Sequence, residues 1–431
     1  MTYKLNASAL GFEGDFTRFL NANRETSADV DAVVASIIAN VRDRGDQAVL
    51  EYTAKFDRNK LSTTELRVTP EEIQAAVKAC DPSVLAALKL AAERIREFHH
   101  RLIPQNLSYV DDQGVELGYR WQAIDVVGLY VPGGLAAYPS SVLMNAIPAQ
   151  AAGVQRLVMV VPTPDRKLNP LVLAAASLAG VTEIYRVGGA QAIAALAYGT
   201  ATIPQVDKIV GPGNAYVAAA KRQVYGQVGI DAIAGPSEIL VVADRLNDPA
   251  WIAADLLSQA EHDRSAQSIL ITDDAGFADA VEHEIERQLQ SLSRVEIATA
   301  SWRDHGAIII VPDVKKNAAD LINRLAPEHL ELAVENPDIL AAQVRHAGAI
   351  FLGRATPEAV GDYIAGPSHV LPTGRTARFS SGLSVIDFMK RISVIRSSEE
   401  SLKVLGPPSI ALAEAEGLPA HALSIKHRLK Q

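Results

Sequence analysis

The sequence predicts an α/β fold of two parallel-sheet layers, with a helical segment before them and a small appendage after. Three observations carry that expectation. Short apolar runs alternate with Ala-rich helical stretches from about residue 126, the signature of βαβ units. The alternation breaks over residues 225–237, which contain Gly235-Pro236-Ser237, and then resumes as a second layer. From about residue 390 the pattern turns irregular and then helical. The 431 residues amount to about three domains' worth of chain. A content of 48% hydrophobic and 21% charged residues is a folded balance rather than a disordered one.

Each element has a local cause. The start, Met1-Thr2-Tyr3-Lys4-Leu5-Asn6-Ala7-Ser8, has no basic stretch leading into an apolar one, so no secretory signal is expected. Val30, Val33, Val34, Ile37, Ile38 and Val41 fall on one helix face, and Gly45 offers a stop. Thr69-Pro70-Glu71-Glu72 is a capping box with proline in the first turn, followed by Ile73, Ala76, Val77 and Cys80 on one face. Asp81-Pro82 opens a further helix that turns Leu85, Leu88, Ala92 and Ile95 inward. Strands are then expected at Val126–Val131, Leu157–Val161, Glu183–Val187 and Lys208–Val210, with helices near 141–152, 169–179, 190–198 and 214–224. The second layer supplies strands at Ile239–Val242, Ser268–Ile271, Ile308–Val311 and Ala349–Leu352. Residues Val126 to Gln155 carry no charge, but Pro132, Gly133, Gly134, Pro139 and Pro148 break the run, so it reads as buried strand, loop and helix and not as a membrane span.

Composition excludes several functions. Forty-one basic against fifty acidic residues give a net charge of −9 with no basic run, so neither nucleic acid nor an anionic membrane is an expected partner. Cys80 is the single cysteine, which removes an intrachain disulfide, a CxxC redox pair, a cysteine zinc cage and an iron–sulfur cluster. It fits a reducing, cytoplasmic compartment. Its place on an apolar helix face makes it a buried, inert thiol.

Three glycine-bearing turns fall at expected strand ends: Tyr130-Val131-Pro132-Gly133-Gly134, Gly188-Gly189-Ala190-Gln191, and Gly211-Pro212-Gly213-Asn214-Ala215-Tyr216. Ligands bind at the carboxyl ends of strands in such sheets. The third turn is a partial dinucleotide fingerprint, with Tyr216 where the last glycine belongs and Asp231 near the place of a ribose-binding acid. Of ten histidines, four have polar company: His262 in Gln259-Ala260-Glu261-His262-Asp263, His329 after Glu328 at the expected end of a helix, His369 seven residues after Asp362, and His421 five after Glu416. Gln259 and His262 would share a helix face. Imidazole and carboxylate suit zinc or another divalent ion, though spacing alone does not show that these groups converge.

Taken in order, Tyr130-Val131-Pro132-Gly133-Gly134, Val187-Gly188-Gly189-Ala190-Gln191-Ala192-Ile193, Gly211-Pro212-Gly213-Asn214, Ala234-Gly235-Pro236-Ser237-Glu238, Gln259-Ala260-Glu261-His262-Asp263, Ala326-Pro327-Glu328-His329 and Gly366-Pro367-Ser368-His369 resemble the histidinol dehydrogenase family across essentially the whole chain. The resemblance implies two Rossmann-like parallel-sheet domains and oxidation of L-histidinol to L-histidine, the last step of histidine biosynthesis. It implies two NAD used in succession through L-histidinaldehyde, and one zinc per subunit. Gln259, His262, Asp362 and His421 are then the expected zinc ligands, and Glu328 and His329 the acid–base pair. Tyr130, Gln191 and Asn214 are expected to contact NAD. Ser237, His369 and Glu416 would contact substrate, together with Gln259, His262, His329, Asp362 and His421.

On this reading the chain divides into an N-terminal arm (1–25), a discontinuous first α/β domain (26–125 and 238–385) with the metal and acid–base residues, an inserted NAD-binding domain (126–237), and a tail domain (386–431). The tail of each subunit in a homodimer would bring Glu416 and His421 to its partner's site. The rival classes are a zinc hydrolase without nicotinamide, which the glycine turns disfavour, and a non-catalytic binding protein, which requires the loss of a ligand or acid–base position.

Overall fold

A computed structural model describes residues 2–22, 29–133, 138–233 and 235–430. The expected arm boundary at 25/26, and Gly134 and Ala234 of the motifs, lie outside the described residues. The strands in chain order are β1 Tyr3–Asn6, β2 Leu107–Val110, β3 Glu116–Ala123, β4 Val126–Tyr130, β5 Arg156–Val160, β6 Glu183–Tyr185, β7 Lys208–Val210, β8 Gly229–Ile230, β9 Glu238–Ala243, β10 Gln267–Thr272, β11 Ala307–Ile310, β12 His329–Ala333, β13 Ala349–Leu352 and β14 Met389–Arg396.

Two parallel sheets form the body. The first runs β6-β5-β4-β7-β8, and the second β1-β11-β10-β9-β12-β13. Their inner strands are mostly apolar because helices cover both faces: all six residues of β9 are buried. Each fully buried Ile or Leu there contributes about 1.5–3 kcal/mol relative to exposure. In the first sheet the chain moves outward from β4 through β5 to β6, then returns to β7 on β4's other side. That reversal opens a crevice between the carboxyl ends of β4 and β7.

The expected helices of this layer form at Pro139–Ala151, Pro170–Leu178, Gly189–Tyr198 and Ala215–Val224. The charge-free stretch becomes β4 and an almost wholly buried helix, as its composition demands. No helix among the described residues is long and apolar enough to cross a membrane.

The earlier helices, Asp29–Arg44, Asp46–Phe56, Pro70–Ala79 and Pro82–His100, lie against the first sheet's helices. The Thr69 capping box forms with both of its bonds. At the amino end, β1 pairs with β11, and the helix Phe12–Leu20 sets Phe12, Phe16 and Phe19 into the second core.

Four expectations change. Residues 225–237 are more than a connection, since β8 there completes the first sheet. His329 opens the inner strand β12 instead of ending a helix, because Ala326 takes a left-handed conformation (φ 47°) and Pro327 follows it. The segment from 389 is no irregular stretch: β14 joins β3 and β2 in an antiparallel sheet before the helices Glu399–Ala415 and Pro419–Arg428. Cys80 is not buried on a helix face. It is the C-cap residue of Pro70–Ala79, half-buried, and its thiol donates to the Ala76 carbonyl (3.2 Å).

Candidate active site

The cluster forms where β9 and β12 begin side by side, with His329 opposite Ile239. Glu238, the first residue of β9, holds both members of the expected acid–base pair, Glu328 and His329, through its main chain. Its N–H donates to Glu328 Oε2 (2.9 Å), and its carbonyl lies 2.9 Å from His329 Nδ1. A carbonyl only accepts, so Nδ1 carries the proton and Nε2 is left for chemistry. Nε2 sits 3.6 Å from both Glu358 Oε1 and Asp362 Oδ1.

Electrostatics follow from this crowding. Burial pushes the Glu328 carboxyl up to about 7, against the opposing pull of His329 and the Glu238 N–H. Burial disfavours charge on His329, but Glu328, Asp362 and Glu358 outweigh it and raise the ring to about 10. For Asp362 burial is likewise overridden, by His329, His369 and His262, which hold it near 2. Burial and the neighbouring Asp362 push Glu358 up to about 8.

Gln259 ends the buried face of the helix Pro249–Ala260, and His262 lies in the turn just beyond, its N–H bonded to the Gln259 carbonyl (3.1 Å). The shared helix face expected for the two is therefore replaced by a helix-end turn. Gln259 is fully buried, and neither atom of its amide has a partner. Leaving both unpaired would cost free energy, so the amide fits a site that takes a ligand. His262 is held below its ordinary value by burial, with Asp362 acting in the opposite direction. The donor set of amide oxygen, imidazole and carboxylate fits a divalent ion. His329, Glu358 and Asp362 also bring ligand atoms within 4.8 Å of one another.

His369 joins the cluster from the following loop, with Nδ1 2.9 Å from the Asp362 carbonyl and Nε2 3.4 Å from Ser141 Oγ. Ser141 belongs to Pro139–Ala151, the helix that follows β4, and Ser368 Oγ donates to Met144 on that same helix (3.2 Å). The two layers therefore meet at this cluster. Ser237, half-buried, immediately precedes β9.

The glycine turns converge at the carboxyl ends of the first sheet. A Cβ on Gly133 would lie 2.4 Å from the Pro162 carbonyl oxygen, and one on Gly188 2.3 Å from Pro162 Cβ. Both turns therefore close on Pro162, with glycine required at each, at the end of the sheet where ligands bind in such folds. Tyr130, buried with its hydroxyl pushed up to about 12, accepts the Gly189 N–H (3.1 Å). Gln191 is buried, and neither end of its amide has a partner. Asn214 caps Ala215–Val224 with its side-chain oxygen, leaving its NH2 for a ligand. Asp231 does not serve as the ribose acid anticipated at its position. It forms a buried ion pair with Lys221, and both bond to Gly211, which fixes the turn after β7.

Glu416 and His421 stand apart. Glu416 caps Glu399–Ala415, His421 lies in the first turn of Pro419–Arg428, and both are exposed on helices that pack against each other. Neither is among the groups that face the cluster within this chain. Sequence reasoning passed over Glu358, Glu331 and Asp255. Glu331 accepts the Glu358 N–H and is hydrogen-bonded to Asp255, tying β12 to the Asp362 helix and the Gln259 helix. Glu358 precedes Asp362 by one helical turn, and Glu331 follows His329 at strand spacing, so both signals were present.

A family model for histidinol dehydrogenase matches residues 20–429. A histidinol dehydrogenase of Rhodospirillum rubrum is 64% identical over 431 residues, covering 100% of this chain and 99% of its own. One of Rhizobium meliloti is 62% identical over 429 residues, with coverage of 100% and 99%. The crystal structure of histidinol dehydrogenase from Elizabethkingia anophelis superposes with a TM-score of 0.94 at 36% identity, covering 100% of this chain and 98% of its own.

Proposed function

The chain belongs to the histidinol dehydrogenase family, an oxidoreductase family at the last step of histidine biosynthesis, and from that premise we propose that it converts L-histidinol to L-histidine through L-histidinaldehyde, with NAD as hydride acceptor in both steps and one zinc per subunit. The observation that carries the reading is a pair of buried, unpartnered amides, Gln259 in the second layer and Gln191 in the first, in two layers that the Ser141–His369 contact joins beside Glu328 and His329. A single cysteine supports a cytoplasmic location.

Zinc held by Gln259, His262 and Asp362, with the partner subunit's His421, supplies a positive anchor for the substrate's amine and imidazole. NAD held at Tyr130, Gln191 and Asn214 supplies the hydride acceptor. Everything else is done by the chain. His369, Ser237 and the partner's Glu416 bind substrate, and His329 Nε2 takes the alcohol proton. In the ligand-free cluster His329 is protonated at neutral pH, contrary to the near-neutral base its type suggests, because three carboxylates face it. A cation held at Gln259, His262 and Asp362 would draw on the Asp362 carboxylate and lower that affinity, which would leave the ring a base. Glu328 then takes a proton from the water that adds to the aldehyde.

Cys80 supports hydration over a thiol adduct. Its helix packs against Pro170–Leu178, an element that contributes nothing to the cluster. Cys80→Ser therefore keeps both oxidations at wild-type rates, and selective loss of the aldehyde step in that variant would sink the hydration route.

The deciding experiment measures reduced nicotinamide formed from L-histidinol. Two NADH appear per substrate, chelation abolishes the reaction, and zinc restores it. Turnover that survives exhaustive metal removal would count against the metal site, and absence of NADH against the whole reading.

A further inference from the structure

With Asp231 committed to Lys221, the acid that the partial fingerprint offers is engaged in fixing the turn after β7. A different carboxylate comes to the crevice from outside the sheet. Asp57 is the C-cap residue of Asp46–Phe56, and residues 57–59 dock on the loop after β5. The Asp165 N–H donates to the Asp57 carbonyl (3.0 Å), and Asn59 Nδ2 donates to the Thr163 carbonyl (3.2 Å) and Oγ1 (2.7 Å). The same loop carries Pro162, against which Gly133 and Gly188 close. The carboxylate lies near enough to Tyr130 to act on its hydroxyl electrostatically. Asp57 Oδ2 is buried with no hydrogen-bond partner, and burial raises the carboxyl to about 6, only partly countered by Arg58.

That is the state of a carboxylate short of donors, at the end of the strand that neighbours β4. In dinucleotide folds this is where an acid accepts the adenosine ribose hydroxyls. The two guanidiniums nearby are spoken for: Arg58 forks onto Asp165 (2.8 and 2.6 Å), and Arg166 reaches Glu65 (3.0 Å) and the Lys60 carbonyl (2.8 Å). A 2′-phosphate would meet a carboxylate, with both of these guanidiniums already engaged.

We propose that Asp57 accepts the hydroxyls of the adenosine ribose of NAD and so selects NAD over NADP. The assignment rests on the reading of this crevice as the NAD site. Loss of a charged acceptor weakens binding about tenfold or more.

The test uses Asp57→Asn in the full-length enzyme, with Asp57→Ser should the first not fold. Equilibrium binding, read as ligand-induced thermal stabilisation, is measured for NAD and for an analogue lacking the adenosine 2′-hydroxyl. Wild type is expected to bind the analogue at least about tenfold more weakly than NAD, while the variant binds both equally weakly. The variant's KM for NAD rises by a similar factor, with kcat at saturating NAD and KM for L-histidinol retained. Undiminished NAD affinity in the variant, or continued discrimination against the analogue, overturns the assignment alone. A wild-type enzyme that neither binds NAD nor forms NADH overturns the crevice reading as well.

Discussion

Glu328→Gln lowers kcat/KM for the aldehyde by about 10²–10⁴-fold, the range a positioned general base supplies, and abolishes its rise with pH. Glu328 is buried beside β9, and burial raises it to about 7. A carboxyl raised in this way is neutral below that value and becomes a base above it. Aldehyde oxidation by the wild type therefore climbs as pH rises through about 7 and levels beyond it. Gln keeps the size of Glu and an oxygen for the Glu238 N–H, so the strand pairing is retained. The measurement is kcat/KM for aldehyde oxidation against pH, which reports groups of the free enzyme. A Gln variant that kept the wild-type climb would show that another group takes the proton from water.

The second large effect is a recovery. Chains carrying His262→Ala and chains carrying His421→Ala are each inactive alone. Randomly reassorted, they regain about a quarter of wild-type activity, because half of the dimers are hybrids and each hybrid keeps one of two sites intact. The tail's surface supports this. Leu412, Leu418 and Leu423 on the terminal helices and Val394 and Ile395 on β14 are exposed apolar residues, which a second copy of the chain would cover. His421 and Glu416 stand on the same projection. Hybrids verified by distinct tags that stay inactive would show that the tail does not cross.

Local chemistry explains which features were legible in the sequence. Strands β4 to β7 of the first sheet announced themselves because buried strands read as short apolar runs, and several helix starts carried a cap, among them Thr69, Asp81, Asn169 and Asn214. Strand β1 escaped notice because its partner, β11, lies at the other end of the sequence, with Tyr3 opposite Ala307. The pairing of β14 with β3 is equally non-local, Met389 lying opposite Ala123. Nothing local distinguishes such strands from loops until the partner is present.

At the site, motifs punctuated by Gly, Pro and His stood out. Glu331 and Asp255 did not, because a lone acid in a sequence looks solvated until the fold buries it. His329-Leu330-Glu331-Leu332 does alternate at strand period. Reading His329 as the end of a helix concealed that alternation, and with it the carboxylate that ties the Gln259 helix to β12.

Glu238 grips Glu328 by its N–H and His329 by its carbonyl, so no side chain at position 238 is required for that grip. The grip exists only while β9 and β12 are in register. A refolding chain can therefore recover its full helical signal and remain inert, because helices form from local contacts and this register does not. Turnover, followed in time, is in this enzyme a clock for long-range strand pairing.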